Sequence, residues 1–273
     1  MCTTCGCSHG EIRIEKTNMD HSHDHPPHSS GFSEASEVAQ DRMIEVELNI
    51  LSKNDQYAAK NRQLLSQNKV TSLNLLSSPG SGKTTLLTNT IQTLLTKPPQ
   101  DIHCRRPEYI PHNLAVIEGD QETSEDAARI RATGVTAVQI NTGKGCHLDA
   151  HMVGHAIEKL ELEQLNLLFI ENVGNLVCPA AFDLGEQAKV VILSVTEGED
   201  KPLKYPQMFH VADVILLTKV DLLPYLDFDV NRCIENAKKI NPRIKVFCLS
   251  AKTGEGLDQW INWIDDLRGN HAH

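Results

Sequence analysis

The sequence predicts an α/β protein: a mostly parallel sheet flanked by helices, preceded by a disordered metal-binding N-terminal segment. Three observations predict it. Short apolar runs such as Leu167–Ile170, Val190–Val195 and Val214–Leu217 read as buried central strands. Segments of helical spacing separate these runs, and strands alternating with helices imply a parallel sheet covered on both faces. Residues 73–85, Leu-Asn-Leu-Leu-Ser-Ser-Pro-Gly-Ser-Gly-Lys-Thr-Thr, give a strand, a tight glycine loop and a helix start in that order.

Bulk composition narrows the class. With 273 residues, the chain holds one α/β domain with appendages. No stretch is long and apolar enough to span a bilayer, and the N-terminus lacks the apolar core of a signal peptide. The expectation is a cytoplasmic protein with no membrane association. Net charge is −10 with histidine neutral, which argues against nucleic acid as a partner. Eight cysteines in a cytoplasmic chain are expected as reduced thiols or metal ligands rather than a disulfide framework.

Residues 1–31 form a flexible Cys/His-rich segment with too few large apolar residues to fold alone. Residues 32–69 read as a helical lead-in of one or two amphipathic helices, with Val38, Met43, Val46, Leu48, Ile50, Leu51, Leu64 and Leu65 among polar positions. Residues 70–269 form the domain proper, and 270–273 a tail. Within the domain, strands are expected at Leu73–Leu76, Leu114–Ile117, Val135–Ile140, Leu167–Ile170, Val190–Val195, Val214–Leu217 and Ile244–Leu249. Helices are expected over Thr85–Leu95, from a Ser124 cap to Ala132, over Asp149–Leu160 and over Gly256–Leu267. Lys97–His112, rich in proline and charge, reads as a connecting insert.

The loop at 77–85 is a phosphate-binding P-loop. Gly80 and Gly82 let the backbone aim its N–H groups at an anion, and Ser81, Thr84 and Thr85 complete the cradle at a helix N-terminus. Lys83 can place its ammonium on the outer phosphates, and the Thr84 hydroxyl can ligate Mg2+. Ser77 departs from the usual G-x-x-x-x-G-K-S/T, which has glycine there. Other polar groups follow strands that should end at the same edge. Asp120 and Glu171 are the carboxylates placed to hold Mg2+ and, with Lys83, to form the catalytic set; the Gly174 N–H can meet a γ-phosphate. Thr218-Lys219-Val220-Asp221 resembles the N-K-x-D guanine motif of GTPases. The Asp221 carboxylate would accept from the guanine ring N–H and amine, and Lys219 would lie across the base. Thr218 stands where Asn is usual, which is expected to weaken the tie between loops. Ser250-Ala251-Lys252 matches the S-A-K loop that touches the base from its other side.

Two sets of soft ligands stand out. Cys146-His147 closes a glycine-rich loop, and Cys178 lies four residues after Gly174. Thiolate and imidazole suit Zn2+ and Ni2+, and three ligands leave a position for water or a second copy of the chain. Cys2, Cys5 and Cys7 with the N-terminal amine and amides offer the mixed nitrogen and sulfur donors of an Ni2+ site, with Zn2+ as the competing occupant. His21, His23, His25 and His28 read as a weak metal store. Cys104, Cys233 and Cys248 read as core or incidental.

Taken together, Ser77–Thr85, Glu118-Gly119-Asp120, Gly145-Cys146-His147, Glu171-Asn172-Val173-Gly174, Cys178-Pro179, Glu197-Gly198-Glu199-Asp200-Lys201 and Lys219-Val220-Asp221 resemble the HypB family. These are hydrogenase nickel-incorporation GTPases, P-loop NTPases of the SIMIBI class. The resemblance covers about residues 70–268, and Cys2-Cys5-Cys7 extends it to the N-terminus. The urease-type relative UreG carries a Cys-Pro-His motif, which is absent here. The resemblance implies slow hydrolysis of GTP and delivery of nickel to a hydrogenase large-subunit precursor. It also implies a homodimer in the GTP-bound state and partnership with a HypA-type accessory protein and SlyD. Lys201 and Lys204 are expected to reach the partner's nucleotide. The alternatives are a UreG-like nickel-insertion GTPase, or a nickel or zinc storage protein with a regulatory nucleotide site.

Overall fold

The computed structural model describes residues 33–96, 113–120 and 125–269. The expectations for Cys2, Cys5, Cys7, His21, His23, His25, His28, Cys104, the Lys97–His112 insert, the Ser124 cap and the 270–273 tail lie outside the described residues.

The chain divides into two compact units, residues 1–53 and 54–273. In the first, residues 33–53 are the opening part of one helix, α1 (Ser33–Gln67), on which Ile44, Val46, Leu48 and Ile50 are exposed. The lead-in is thus a single helix, since no glycine or proline interrupts 33–67. The unit boundary falls within it rather than at its end.

The second unit is built on seven parallel strands: β1 (Thr71–Ser77), β2 (Leu114–Asp120), β3 (Thr136–Asn141), β4 (Leu167–Glu171), β5 (Ala188–Ser194), β6 (Val214–Thr218) and β7 (Lys245–Cys248). Their order across the sheet is β3-β2-β4-β1-β5-β6-β7. Each expected strand is present, with ends shifted by a few residues. The largest difference is β2, which continues through Glu118, Gly119 and Asp120 because it pairs with β3 as far as Asn141.

The helices are α2 (Lys83–Thr96), α3 (Glu125–Arg131), α4 (Ala150–Ile157), α5 (Lys201–Lys204), α6 (Pro206–Val211), α7 (Val230–Ile240) and α8 (Leu257–Gly269). Asp149 caps α4 by accepting from Met152 N at 2.8 Å, which places the helix start as expected, although it ends at Ile157 rather than Leu160. On one face of the sheet, Leu73 and Leu75 pack with Leu87 and Ile91 of α2 and Trp260 and Ile264 of α8. Trp260 Nε1 donates to Thr90 Oγ1 at 3.1 Å, so the buried indole is satisfied. On the other face, α4 and the end of α1 cover β2 and β4, while α6 and α7 cover β5 and β6.

The end of α1 is fixed by its own chemistry. Val70 N bonds to Leu65 O at 2.9 Å, Lys69 N bonds to Ser66 O at 3.0 Å, and Lys69 takes φ of 57°. That is a Schellman stop, sealed by contact between the apolar residues at its two ends. Farther up α1, Asn54 and Asn61 lie two turns apart on one face. Asn54 accepts from Ala150 N at 2.9 Å and donates to Asp183 O at 2.8 Å. Asn61 donates to Ala150 O at 2.7 Å and Leu184 O at 3.0 Å. Gly185, at φ of 90°, lies so close that a Cβ there would stand 2.6 Å from Ala58 O. The side chain of Asn61 therefore joins α1 to the start of α4 and to the turn before β5. Replacing Asn61 by Leu leaves both carbonyls without their donor, and should lower unfolding free energy by about 1–3 kcal/mol in urea titrations. An unchanged midpoint would show that the amide holds nothing together.

Candidate functional site

The C-terminal ends of β1, β2, β4 and β6 and the loop after β7 meet at one edge of the sheet, as expected of this architecture. After β1, Gly80 at φ of 74° and Gly82 at φ of 93° turn the chain so that α2 begins at Lys83. Position 77 is the last residue of β1, in extended backbone paired with Ile192 of β5. Serine therefore replaces glycine there without strain. Lys83 Nζ lies 2.7 Å from Glu171 Oε1, and Thr84 Oγ1 donates to the same oxygen at 2.8 Å. The other carboxylate oxygen, Glu171 Oε2, is buried and has no protein partner. A hydroxyl beside a buried anionic oxygen with open valence is a donor set that suits Mg2+.

The loop after β6 is tied to the P-loop at two points. Thr218 Oγ1 donates to Ser81 O at 3.0 Å, and Lys219 Nζ donates to Gly80 O at 2.8 Å. The expected weakness at Thr218 is thus corrected: the buried hydroxyl makes the inter-loop bond itself. Ser250 Oγ donates to Asp221 Oδ1 at 2.6 Å and accepts from Lys252 N and Thr253 N, both at 3.2 Å. Asp221 is thereby held in place with its second oxygen available to a ligand. The Asn89 amide of α2 donates to Ala251 O and anchors the same turn.

Cys146, His147 and Cys178 come together. Their ligand atoms all lie within 4.8 Å of one another. Cys146 Sγ is 3.6 Å from His147 Nδ1, and Cys178 begins a 3-10 turn, Cys178–Ala181. Burial pushes the His147 imidazole below its ordinary range, against a smaller opposing pull from Asp149. The ring also rests on Phe182, with centroids 4.0 Å apart. A neutral imidazole keeps a lone pair for a metal ion. By contrast, burial pushes the Cys233 thiol up to about 12 and raises that of Cys248. Both stay protonated and behave as core residues, as expected.

Sequence reasoning missed the connections between these groups. Asn172 Oδ1 accepts from Leu148 N at 3.1 Å and from Val173 N at 2.9 Å. Asn175 Nδ2 donates to Cys146 O at 3.3 Å. Gly174 packs on the P-loop so closely that a Cβ would lie 3.3 Å from Pro79 N and Cα. The run 172–178 therefore touches the P-loop on one side and the Cys146-His147 loop on the other. Glu118 was read only as part of the Glu118-Gly119-Asp120 run and given no role of its own. It is buried in β2 directly beside Glu171 of β4 in register, and a carboxylate inside an apolar strand was the available signal. Asp120 ends β2 at the same sheet edge, where its backbone O accepts from Thr142 N at 2.9 Å. Lys204 is exposed and paired with Asp200 at 2.6 Å, while Lys201 lines a cleft with Pro79, Gly174, Val177 and Tyr205.

The chain is similar to known proteins over most of its length. Residues 71–248 match the family model described as CobW/HypB/UreG, nucleotide-binding domain. The hydrogenase maturation factor HypB of Azotobacter vinelandii is 54% identical over 98% of this chain and 93% of its own length. That of Escherichia coli K12 is 48% identical over 98% of this chain and 99% of its own. Among solved structures, HypB from Helicobacter pylori in complex with nickel is similar, with a TM-score of 0.71 and 38% identity over 80% of this chain and 97% of the other.

The depressed imidazole of His147 has a pH consequence in the metal-free protein. A folded state that resists protonating His147 loses stability relative to an unfolded chain that takes the proton. The loss is absent above the ordinary histidine range and grows as pH falls through it. His147→Gln should flatten that part of the stability curve, read by urea unfolding at stepped pH in chelator. Parallel curves for the two proteins would overturn the assignment.

Proposed function

The chain belongs to the HypB family of hydrogenase maturation factors, P-loop GTPases of the SIMIBI class, and from that membership we propose a GTP-driven nickel carrier. In this reading it binds and hydrolyses GTP, and uses the cycle to hold and release nickel for the large-subunit precursor of a nickel–iron hydrogenase. The observation that carries it is the continuous path from Pro79 through Gly174 and Asn175 to Cys146, which joins the phosphate loop to the metal ligands.

Phosphate oxygens enter the N–H cradle of Gly80 to Thr85, and Lys83 transfers from Glu171 to the outer phosphates. Thr84, Asp120 and Glu171 are the residues that would hold Mg2+, which would supply neutralising charge to the outer phosphates. Asp120 orients the attacking water; as its oxygen bonds to the γ-phosphorus, the bond to the β-phosphate oxygen breaks, the water's proton passes to the released phosphate, and phosphate and GDP leave. The Gly174 N–H senses the γ-phosphate. Its departure frees the 172–178 run, and Cys178 moves relative to Cys146 and His147. Three protein ligands leave an open metal position, which a second protomer or water fills in the GTP-bound dimer. Lys201 and Lys204 extend toward the partner's nucleotide. A HypA-type protein and SlyD act as accessory partners. The N-terminal Cys2, Cys5 and Cys7 form a separate nickel site, with Zn2+ as a competing ligand of either cysteine set.

The base-reading arrangement predicts hydrolysis of GTP in preference to ATP. Asp221→Asn should reduce that preference by ~100-fold or more, since the group matched to guanine is then mispaired. Equal turnover of the two nucleotides by the unsubstituted protein would refute the guanine reading.

The coupling is tested in the full chain carrying Cys2→Ser, Cys5→Ser and Cys7→Ser. Nickel affinity measured with GDP and with a non-hydrolysable GTP analogue should differ by about 5–150-fold. Metal must then change the preference between the two nucleotides by the same factor. Asn175→Ala should bring the ratio toward one. Identical affinities in the two nucleotide states would leave the metal site without a switch.

A further inference from the structure

Cys146-His147 and Cys178 sit on loops that follow different strands, β3 and β4. The gap between their ligand atoms is therefore set by whatever ties the two loops together. One tie is the bond from Asn175 to Cys146 O. A second runs through α1. Asn54 Oδ1 accepts from Ala150 N at 2.9 Å, three residues after His147. Its Nδ2 donates to Asp183 O at 2.8 Å, five residues after Cys178. Asn61 Nδ2 donates to Ala150 O at 2.7 Å and to Leu184 O at 3.0 Å. Each amide thus holds both loops at once, and Ala150 is gripped at its N–H and at its C=O.

The grip is built to hold a distance. Both asparagines are more than nine-tenths buried, so water competes little for these bonds. Arg62, one position beyond Asn61, meets both carboxylate oxygens of Asp183 at 2.7 Å. Phe182 carries the grip to the ligands: it is buried beside Asp183, and its ring lies 4.0 Å from that of His147. An apolar pair at 54 and 61 would pack the helix onto the sheet without fixing direction or length. Hydrogen bonds fix both. All four of these amide bonds end just past one or the other ligand loop. Three protein ligands bind an ion tightly when they are already held near the geometry it needs, because ordering them at the moment of binding costs affinity.

We propose that Asn54 and Asn61 of α1, backed by Arg62, are positioning residues of the Cys146-His147-Cys178 site. They set the separation of the two ligand loops and, through it, the affinity of the site for metal. Helix α1 is then a working part of that site although it carries neither cysteine nor histidine. The inference rests on the reading of these three residues as metal ligands and is independent of the GTP cycle.

The test uses the full chain carrying Cys2→Ser, Cys5→Ser and Cys7→Ser, without nucleotide. Loop separation is read first, in chelator, with dibromobimane, which bridges neighbouring thiols; peptide mass spectrometry quantifies the Cys146–Cys178 product. Nickel is then titrated alone and followed by its sulfur-to-metal absorption, which histidine sites do not give. Asn54→Ala and Asn61→Ala should each lower the bridged fraction and weaken nickel binding by about 10–100-fold, the range for lost supporting contacts. Arg62→Gln removes only an exposed contact, so it keeps the test open if the buried variants do not fold; it should move both readings the same way by less. Thr90→Val takes the partner of the Trp260 indole on the other face of the sheet, which lowers stability without touching either loop, and should move neither reading. Unchanged nickel affinity in folded asparagine variants overturns the proposal, as does a shift in one reading without the other or an equal loss in Thr90→Val. Absence of the sulfur-to-nickel absorption in the parent chain would remove the ligand reading itself, and this inference with it.

Discussion

One carboxylate oxygen sets the terms for the nucleotide edge. Glu171 Oε1 accepts from both Lys83 and Thr84, and the Lys83 and Glu171 side chains are only 12% and 2% exposed. A charge pair so far from water persists only while both members keep a partner; breaking one such pair by removing a member costs about 3–5 kcal/mol. A triphosphate is suited to take Lys83 because it brings its own negative charge. Glu171 is then left needing a cation. Partner exchange at this oxygen would therefore make anion and cation arrive as one linked event, with Lys83 and Glu171 never stranded in the protein interior.

Behind that edge runs a buried polar row. Leu148 N donates to Asn172, Asn172 donates to Asn74 of β1 at 3.4 Å, and Asn74 donates to Glu186 at 3.1 Å. Glu186 also accepts from Leu184 N at 2.7 Å and pairs with Lys189, and Leu184 O accepts from Asn61. Polar groups in a low-dielectric interior are stabilising when every member is satisfied and costly when one is not. The row therefore holds the Cys146-His147 loop, the central strand and helix α1 in one register. It accounts for an asparagine at the centre of β1, where an aliphatic side chain would otherwise be expected.

Much of this was legible in the sequence because it is local. The strand, glycine loop and helix at 73–85 specify their own geometry, and the apolar runs specify central strands. Thr218 misled because a family pattern names a residue type, whereas the structure needs a donor within reach of Ser81 O, and a hydroxyl serves. The links through Asn172, Asn175 and Asn61 were not legible. Each joins residues far apart in the chain, and an asparagine in a loop or helix announces no particular partner. The convergence of Cys146, His147 and Cys178 was readable only as an expectation from strand order.

The strand order has a bearing on how the chain is made. β1 lies in the middle of the sheet, yet its neighbours are β4 and β5, and β2 pairs with β3 and β4 instead. On the ribosome, Thr71–Ser77 therefore emerges long before Leu167, its first partner in register. At about 5–20 residues per second, the wait is roughly 5–20 s. Through that interval an apolar strand meant for the interior has no edge to join, and the P-loop that follows it has no carboxylate to hold Lys83. The phosphate cradle therefore cannot reach its final geometry until β4 and β5, made about a hundred residues later, have closed on both sides of β1.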